Sequence, residues 1–142
     1  MKSVATRGYM LKSQSDDWET PAELYNALNS IFHFDFDPCP VNPVFDGLKV
    51  DWGNRNYVNP PYSQLGRWIE KACTEACKGK LIVMLIPSRT DTRAFHKYIL
   101  GTAHIFYVRG RLKFTLKGKR APAPFASLIA IFYGGLKDWI SF

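Results

Sequence analysis

Residues 57–62 of the chain have the sequence Tyr-Val-Asn-Pro-Pro-Tyr. The first two of these residues are apolar, which is typical of the end of a buried strand, and the pattern of residues 63–77 predicts a helix. Between them, Pro60 and Pro61 have fixed φ angles and lack a backbone N–H, so the connecting loop is stiff. A stiff loop at the carboxyl end of a strand is a common location for the binding sites of open α/β sheets.

This loop offers groups that suit the recognition of a flat, amino-bearing ligand. Asn59 has a side-chain carbonyl, Pro60 has a backbone carbonyl, and Tyr62 has an aromatic face. Two acceptors next to a flat ring fit a planar group that carries an NH2, and adenine is such a group. The alternative is a plain turn, because Asn-Pro and Pro-Pro are ordinary turn dipeptides.

The same groups suit chemistry at an exocyclic amine, which is a poor nucleophile because its lone pair is delocalised into the ring. Hydrogen bonds from the amine to Asn59 and to the Pro60 carbonyl favour a pyramidal nitrogen whose lone pair is available to an electrophilic methyl group. Acceptors that Pro60 and Pro61 hold in place need little reorganisation as positive charge develops. Stacking of a base on Tyr62 contributes roughly 1–3 kcal/mol. We therefore identify Asn59, Pro60, Pro61 and Tyr62 as the candidate catalytic residues.

Composition and charge limit the class of protein. The chain has 142 residues, of which 46% are hydrophobic and 15% aromatic, which is enough for one globular domain with a core. We expect a flexible arm over residues 1–15 and a single domain over residues 16–142. The formal net charge of +7 favours a polyanionic partner, with nucleic acid ahead of an acidic membrane surface, over charge that serves solubility alone.

Cysteine usage and hydropathy indicate the compartment. The chain has three cysteines, an odd number, and no Cys-x-x-Cys pair, so we expect reduced thiols and no bound metal. No apolar run is long enough to span a membrane, and the N-terminal residues lack the apolar core of a signal peptide. The expected location is therefore the cytoplasm, with no membrane partner.

The apolar pattern predicts an α/β fold. Residues 81–86 form a continuous apolar run, which is typical of a strand that is covered on both faces in a parallel sheet. Further strands are expected at residues 32–36, 48–50, 57–58, 103–108 and 125–133, and helices at residues 20–30, 63–77 and 91–100. The order of these elements predicts a mostly parallel sheet with an antiparallel edge pair.

Polar residues at the ends of the predicted elements are candidates for ligand binding. Asp37 and Asp51 each end a predicted strand upstream of the loop, where carboxylates suit the hydroxyl or amino groups of a nucleoside. The helix that begins near Thr20 and Pro21 offers free N–H groups to a carboxylate. The alternatives are loop caps for both aspartates and a capping box between Thr20 and Glu23.

A basic segment precedes the last predicted strand. The segment contains Arg109, Arg111, Lys113, Lys117, Lys119 and Arg120, with Phe114 among them, and Arg89 and Arg93 follow another strand. On a hairpin at the sheet edge, such cations bind the phosphate backbone of a nucleic acid. Phe114 is then expected to stack on an extruded base from the side opposite Tyr62. The alternative is a solvated, charged loop.

Six short motifs follow one another along the chain. They are Trp18-x-Thr20-Pro21, Asp37-Pro38-Cys39, Asp51-Trp52, Asn59-Pro60-Pro61-Tyr62-Ser63, Pro87-Ser88-Arg89-Thr90-Asp91-Thr92 and Gly110-Arg111-Leu112-Lys113-Phe114. In this order they resemble the phage-type DNA N-6-adenine methyltransferase (Dam) family, from residue 18 to residue 133. Residues 59–62 also resemble motif IV of the amino-nitrogen methyltransferases.

The resemblance implies a small Rossmann-like methyltransferase fold, with S-adenosylmethionine as methyl donor and adenine in double-stranded DNA as acceptor. It implies that residues 59–62 form the catalytic loop. The residues that it places in the cofactor pocket are Thr20, Pro21, Asp37, Pro38 and Asp51. Residues 37–40 lack the glycine-rich turn of larger methyltransferases, so their backbone cannot approach the cofactor there in the usual way.

Two other functions are compatible with these residues. An enzyme with the same loop could methylate the amide of a glutamine side chain in a protein, but the basic segment argues against that substrate. A nucleic-acid-binding module without catalysis is the alternative from another class. The absence of glycine from residues 37–40 keeps that alternative open.

Overall fold

The computed structural model describes residues 18–116 and 118–133. The described elements are helices α1 (Ala22–Phe32) and α2 (Leu65–Cys77), and strands β1 (Arg55–Val58), β2 (Leu81–Pro87), β3 (His104–Tyr107), β4 (Lys113–Leu116), β5 (Lys119–Pro122) and β6 (Ser127–Tyr133). A short 3-10 helix covers Tyr62–Gln64 and a π-helix covers Phe95–Ile99. The predicted arm at residues 1–15 lies outside the described residues. None of the described helices has the length and apolar character needed to cross a membrane.

Strands β1, β2, β6 and β3 form one mixed sheet, in that order. β1 and β2 are parallel, whereas β6 is antiparallel to both β2 and β3. The prediction of a mostly parallel, Rossmann-like sheet is therefore wrong, because the described sheet has a single parallel pair and its other pairs are antiparallel. The chain adopts a small α+β fold. The predicted antiparallel pair corresponds to β3 and β6, but of these two strands only β3 lies at an edge of the sheet, and β6 lies inside it.

The apolar run at residues 81–86 indicated burial correctly and strand direction incorrectly. Every residue of β2 is buried, as are residues 127–132 of β6. A strand that is covered on both faces has this pattern whichever way its neighbours run, because side chains alternate between the two faces of any strand. The pattern therefore reports the layers above and below β2, and not the direction of the strands beside it.

Helices and a hairpin cover the two faces of the sheet. On one face, Trp68 and Ile69 of α2 pack with Met84 of β2. On the other face, Val83 and Leu85 pack with side chains of α1 and of the β4–β5 hairpin. Full burial of an apolar side chain of this size contributes about 1.5–3 kcal/mol relative to exposure. These two clusters therefore fix the sheet that carries the loop at residues 59–62.

The basic segment forms the antiparallel hairpin of β4 and β5. Alternation along β4 buries Phe114, which is 1% exposed, and leaves the neighbouring Lys113 exposed. The backbone of Thr115 exchanges two hydrogen bonds with that of Glu19, at 2.9 and 3.2 Å. The hairpin is thereby joined to the segment that precedes α1.

Residues 32–36 do not form the predicted strand. Helix α1 continues to its C-cap, His33, which adopts a left-handed φ of 52°. Beyond it, Phe36 makes a single parallel bridge to β1. Because this bridge runs beside β1 in the same direction, Asp37 emerges at the same end of the sheet as Asn59.

Other local predictions also differ from the structure. Residues 48–50 form a turn and a bend instead of a strand, and in the region of the helix expected at residues 91–100 the π-helix covers Phe95–Ile99. The capping box between Thr20 and Glu23 does not form, because Pro21 is the N-cap of α1 and no side chain caps this helix. The Thr20 hydroxyl makes its hydrogen bonds outside the helix.

Glu75 of α2 is fully buried and is surrounded by lysines. Its carboxylate accepts hydrogen bonds from Lys71 at 2.6 Å, Lys80 at 2.5 Å and Lys78 at 3.3 Å. Burial raises the pKa of Glu75, but these hydrogen bonds outweigh burial and lower the pKa to about 2. Lys80 also donates to the Trp52 carbonyl at 2.7 Å, so these contacts connect α2 with the residues that precede β1 and β2. We name Glu75 and its three lysines the Glu75 cluster.

Candidate active site

A cavity of about 860 Å³ lies at the carboxyl end of β1. It is lined by Asn59 and Pro61 of the loop after β1, by residues 18–20 before α1, and by residues 37–47. Its volume lies within the roughly 300–1,000 Å³ that is usual for small-molecule sites. The cavity is therefore adjacent to the loop that the sequence identifies as the candidate site.

Two acceptors hold the side chain of Asn59. Its Nδ2 atom donates to the Trp18 carbonyl at 3.0 Å and to the Thr20 hydroxyl at 3.2 Å. Because a backbone carbonyl can only accept, the NH2 group must face Trp18, and Oδ1 must face away from it. Within residues 18–116 and 118–133, no hydrogen bond engages this Oδ1 atom. Asn59 therefore offers an available acceptor at the wall of the cavity.

The Thr20 hydroxyl also contacts Tyr57, which lies two residues before Asn59, and their oxygens are 2.6 Å apart. Tyr57 is 3% exposed, and its ring packs against those of Tyr25 and Phe34 at centroid distances of 5.1 and 5.4 Å. Burial raises the pKa of Tyr57, while the hydrogen bond with Thr20 acts in the opposite direction, so the phenol stays neutral. We name the Asn59 network as follows: Asn59, Thr20, Tyr57 and the Trp18 carbonyl.

Prolines and an aromatic contact fix the rest of the loop. Pro60 is buried, and Pro61 has an extended backbone with φ −63° and ψ 137°. Tyr62 begins the 3-10 helix, and its ring meets Phe125 edge-on with centroids 4.9 Å apart and planes at 87°. Burial raises the pKa of Tyr62, and the charge of Arg89 acts in the opposite direction. A positive charge therefore lies near the aromatic end of the loop.

Asp37 and Pro38 belong to the wall formed by residues 37–47. Asp37 is half-buried, and its Oδ1 atom accepts a hydrogen bond from the Cys39 N–H at 2.9 Å. Burial raises the pKa of Asp37, and this hydrogen bond opposes the rise. Gly47 closes the wall, because a Cβ atom there would lie 1.9 Å from the Pro38 carbonyl oxygen. This close approach is possible only for glycine.

Two of the predicted cofactor-binding residues do not line the cavity. Asp51 is exposed and pairs with Lys78 at 3.3 Å. Pro21 is buried at the N-cap of α1, where its carbonyl accepts a hydrogen bond from the Tyr25 N–H at 3.1 Å. The predicted cofactor residues that do line the cavity are Thr20, Asp37 and Pro38. The role of all five in cofactor binding stays a prediction.

The predicted DNA-binding cations lie at the surface. The exposed residues of this set are Arg89, Arg93, Arg109, Arg111, Lys113, Lys119 and Arg120. Arg120 pairs with Glu23 of α1 at 3.6 Å, and Lys117 lies outside the described residues. Phe114 is buried beneath the hairpin, with its ring edge-on to Trp18 at a centroid distance of 5.3 Å. The structure therefore does not bring the Phe114 ring to the surface, where a base could stack on it.

Two residues of the Asn59 network were absent from the sequence-based site. Tyr57 was assigned only to a strand, although residues two apart on a strand face the same side, so its spacing from Asn59 was a usable signal. Trp18 belongs to the first of the six motifs, but it contributes a backbone carbonyl, which every residue type has, so its residue type does not predict this contact. Phe125 supports Tyr62 from another part of the chain, and only the tertiary fold reveals that contact.

Most of the chain matches one known protein family. Residues 7–138 of the chain match the family model described as DNA N-6-adenine-methyltransferase (Dam). No curated protein sequence matches the chain. The family match covers nearly all of the 142 residues, including the cavity, the loop at residues 59–62 and the hairpin. It confirms the resemblance seen in the motifs, and the chain belongs to the Dam family of DNA N-6-adenine-methyltransferases.

Proposed function

We propose that this protein transfers a methyl group from S-adenosylmethionine to the exocyclic N6 amino group of adenine in double-stranded DNA. Membership of the Dam family supports a methyltransferase that acts on DNA. One observation carries the assignment of the reaction to this site. The NH2 group of Asn59 donates hydrogen bonds to Trp18 and Thr20, and among the described residues no group donates to its Oδ1 atom, which lies beside a cavity of about 860 Å³.

The acceptors for the amine are Asn59 Oδ1 and the Pro60 carbonyl. Two hydrogen bonds hold the first and the proline ring restricts the second, so neither has to reorganise as positive charge develops on the amine. Acceptance of both N–H groups favours a pyramidal nitrogen with an available lone pair. Tyr62, whose ring Phe125 supports from the side, stacks on the extruded base and contributes roughly 1–3 kcal/mol.

The residues around the cavity fit S-adenosylmethionine, which supplies a methyl group bound to a positively charged sulfur. Asp37 provides a half-buried carboxylate for a cationic or hydroxyl group. The N-terminus of α1 has no side-chain cap, so its first N–H groups are available to a carboxylate next to Thr20. Trp18 and Phe45 add aromatic surface to the cavity wall. These groups match the charges and the ring system of the cofactor.

Duplex binding is assigned to the exposed cations of the hairpin and to Arg89. The pairing of β4 with β5 sets Lys113 and Arg120 on the face opposite the buried Phe114. Arg89 is close enough to Tyr62 to influence its pKa, so a cation is available for a phosphate beside the extruded base. Such contacts make affinity fall with salt, with a slope of about −0.9 for each phosphate neutralised.

The test compares the protein with Asn59→Ala. Each is incubated with S-adenosylmethionine labelled in its methyl group and with unmethylated duplex DNA, and the DNA is then digested to nucleosides. We expect labelled N6-methyl-2′-deoxyadenosine from the unaltered protein and very little from Asn59→Ala. Asn26→Ala, which removes an exposed asparagine from α1, serves as the matched control and should retain full incorporation.

Several outcomes would contradict the proposal. Equal labelling by the protein and by Asn59→Ala would remove Asn59 from the reaction. Binding of DNA without any labelling would indicate the non-catalytic module. Label on another nucleoside, or on protein instead of DNA, would replace adenine as the acceptor.

A further inference from the structure

We propose that Tyr57 is a positioning residue for methyl transfer, and that its hydroxyl acts through Thr20 to hold the Asn59 carboxamide with Oδ1 directed to the substrate amine. The expected effect of this contact on the rate of methyl transfer rests on the proposed function, whereas its expected effect on the orientation of the Asn59 amide does not. The three side chains form a continuous chain of hydrogen bonds, at 2.6 Å from Tyr57 to Thr20 and 3.2 Å from Asn59 to Thr20.

The Thr20 hydroxyl has to act as an acceptor toward Asn59, because Nδ2 of Asn59 is a donor. A hydroxyl group has one proton and two lone pairs, and it rotates to suit its partners. The 2.6 Å contact with Tyr57 is at the short end of the range for O–H···O hydrogen bonds, so it restrains that rotation. Whichever of the two hydroxyls donates, a lone pair of Thr20 stays directed at Asn59.

Loss of this restraint affects the orientation of the Asn59 amide. Without Tyr57, the Thr20 hydroxyl is free to turn its proton toward Asn59, and a donor at that position favours the amide rotated by half a turn. The rotated amide would present NH2 to the substrate, so that a donor would face a donor. Only the Trp18 carbonyl would then oppose the rotation.

The packing around Tyr57 separates the hydroxyl from the ring. The residue is 3% exposed, and its ring packs against those of Tyr25 and Phe34. Tyr57→Phe therefore retains the packed ring and removes the hydroxyl alone. Burial also raises the pKa of Tyr57, so the hydroxyl keeps its proton at neutral pH.

The kinetic test uses Tyr57→Phe, Thr20→Val, Thr20→Ser and the double variant of Tyr57→Phe with Thr20→Val. Since one hydrogen bond in a polar network is at stake, we expect kcat to fall about tenfold for Tyr57→Phe and for Thr20→Val. KM for DNA should not change, and Thr20→Ser should restore kcat because it retains a hydroxyl. If Tyr57 acts through Thr20, the double variant should be no slower than Thr20→Val alone. Tyr98→Phe, which removes a hydroxyl from a half-buried tyrosine outside the Asn59 network, is the matched control.

Three kinetic results would overturn the proposal. Additive losses in the double variant would show that Tyr57 acts independently of Thr20. An unchanged kcat in Tyr57→Phe would show that the hydroxyl has no role in the reaction. A weaker affinity for S-adenosylmethionine in Thr20→Val, measured by calorimetry, with kcat unchanged at saturating cofactor, would assign the Thr20 hydroxyl to the cofactor.

A spectroscopic test is independent of catalysis. The side-chain NH2 signals of Asn59 can be observed by 15N–1H correlation spectroscopy and assigned by their loss in Asn59→Asp. We expect slow hydrogen exchange for these protons in the unaltered protein, and a shift with faster exchange in both Tyr57→Phe and Thr20→Val. Unchanged signals in either variant would overturn the proposal, whether or not the protein methylates DNA. If the unaltered protein transfers no methyl group while these signals respond as expected, the proposed function fails and the positioning network stands.

Discussion

The Glu75 cluster and the Asn59 network are both hydrogen-bonded polar groups at the margins of the same sheet, and they differ in how completely their polar atoms are paired. Glu75 is fully buried, and lysines reach both oxygens of its carboxylate. Asn59 is half-buried, and both of its side-chain N–H groups donate hydrogen bonds. Within the described residues, its Oδ1 atom accepts none.

This difference separates a structural role from a functional one. Buried polar atoms are nearly always hydrogen-bonded, because an unpaired one costs about 1–3 kcal/mol. The Glu75 cluster obeys this rule internally and joins α2 to the chain around β1 and β2. In the Asn59 network, the Oδ1 atom accepts no hydrogen bond from the described residues and borders a cavity, which is the arrangement expected of an atom that contacts a ligand. Removal of Glu75 should therefore affect folding, and removal of Asn59 should affect turnover.

The largest expected effect is that of Asn59→Ala on the reaction. Loss of a preorganised polar group that contacts the reacting centre lowers kcat by about 10²–10³-fold. Because Asn59 is half-buried, we expect little change in the free energy of unfolding. Single-turnover rates and urea unfolding of the same preparation measure both quantities. A variant that unfolds readily but turns over normally would reverse the assignment of roles.

Glu75→Gln should show the opposite behaviour. Removal of one partner from a buried ion pair costs about 3–5 kcal/mol, and we expect about 3 kcal/mol here because the lysines retain some contact with water. Urea unfolding measures this loss. The folded variant should keep the kcat of the unaltered protein, and Glu70→Gln on the exposed face of α2 is the matched control. A kcat loss that matches that of Asn59→Ala would mean that the two groups are not separate.

The free energy of unfolding should fall in acid, and we expect the Glu75 cluster to account for part of this fall. The pKa of Glu75 is about 2 in the folded protein and 4.5 in its ordinary state, so folding is favoured when this group is ionised. Its contribution is fully present above pH 4.5 and is lost as pH falls toward 2. Thermal unfolding over this range should show a fall that is smaller in Glu75→Gln. The same slope in both proteins would assign the acid sensitivity to other carboxylates.

The smallest effect concerns the surface charges, which belong to neither network. Lys113→Ala should weaken DNA binding and reduce the slope of log affinity against log salt by about 1, because one phosphate contact is lost. The rate of methyl transfer at saturating DNA should not change, because this cation contributes to binding alone. Lys97→Ala, on the exposed side of the π-helix, should change neither affinity nor slope. An unchanged slope in Lys113→Ala would remove the hairpin from the DNA interface.

The sequence was sufficient for features that depend on neighbouring residues. β1, α2 and β2 lie where the local patterns predict them, and the loop at residues 59–62 is adjacent to a cavity, as expected for a site at the end of a strand. Strand order was not accessible in this way. The apolar run in β2 reports coverage of both faces, and nothing in that run specifies that β6 pairs with it in the antiparallel direction.

The contacts of side chains that have more than one possible partner could not be predicted from the sequence either. Thr20 has the right spacing to Glu23 for a capping box, but its hydroxyl bonds Tyr57 and Asn59, which are distant in the chain. Phe114 is surrounded by basic residues in sequence, yet the alternation of β4 buries it. In both cases a tertiary contact outweighed a local pattern.

The two backbone hydrogen bonds between Thr115 and Glu19 have a practical consequence for altering this enzyme. They attach the hairpin to the short segment whose carbonyl and hydroxyl orient Asn59. A hairpin grafted from a relative to change the recognised site would also move that segment, unless the backbone at position 115 were reproduced. If the hairpin contacts DNA and Asn59 takes part in the reaction as proposed, a graft that changes the recognised site should also change the reaction rate unless it preserves these two hydrogen bonds.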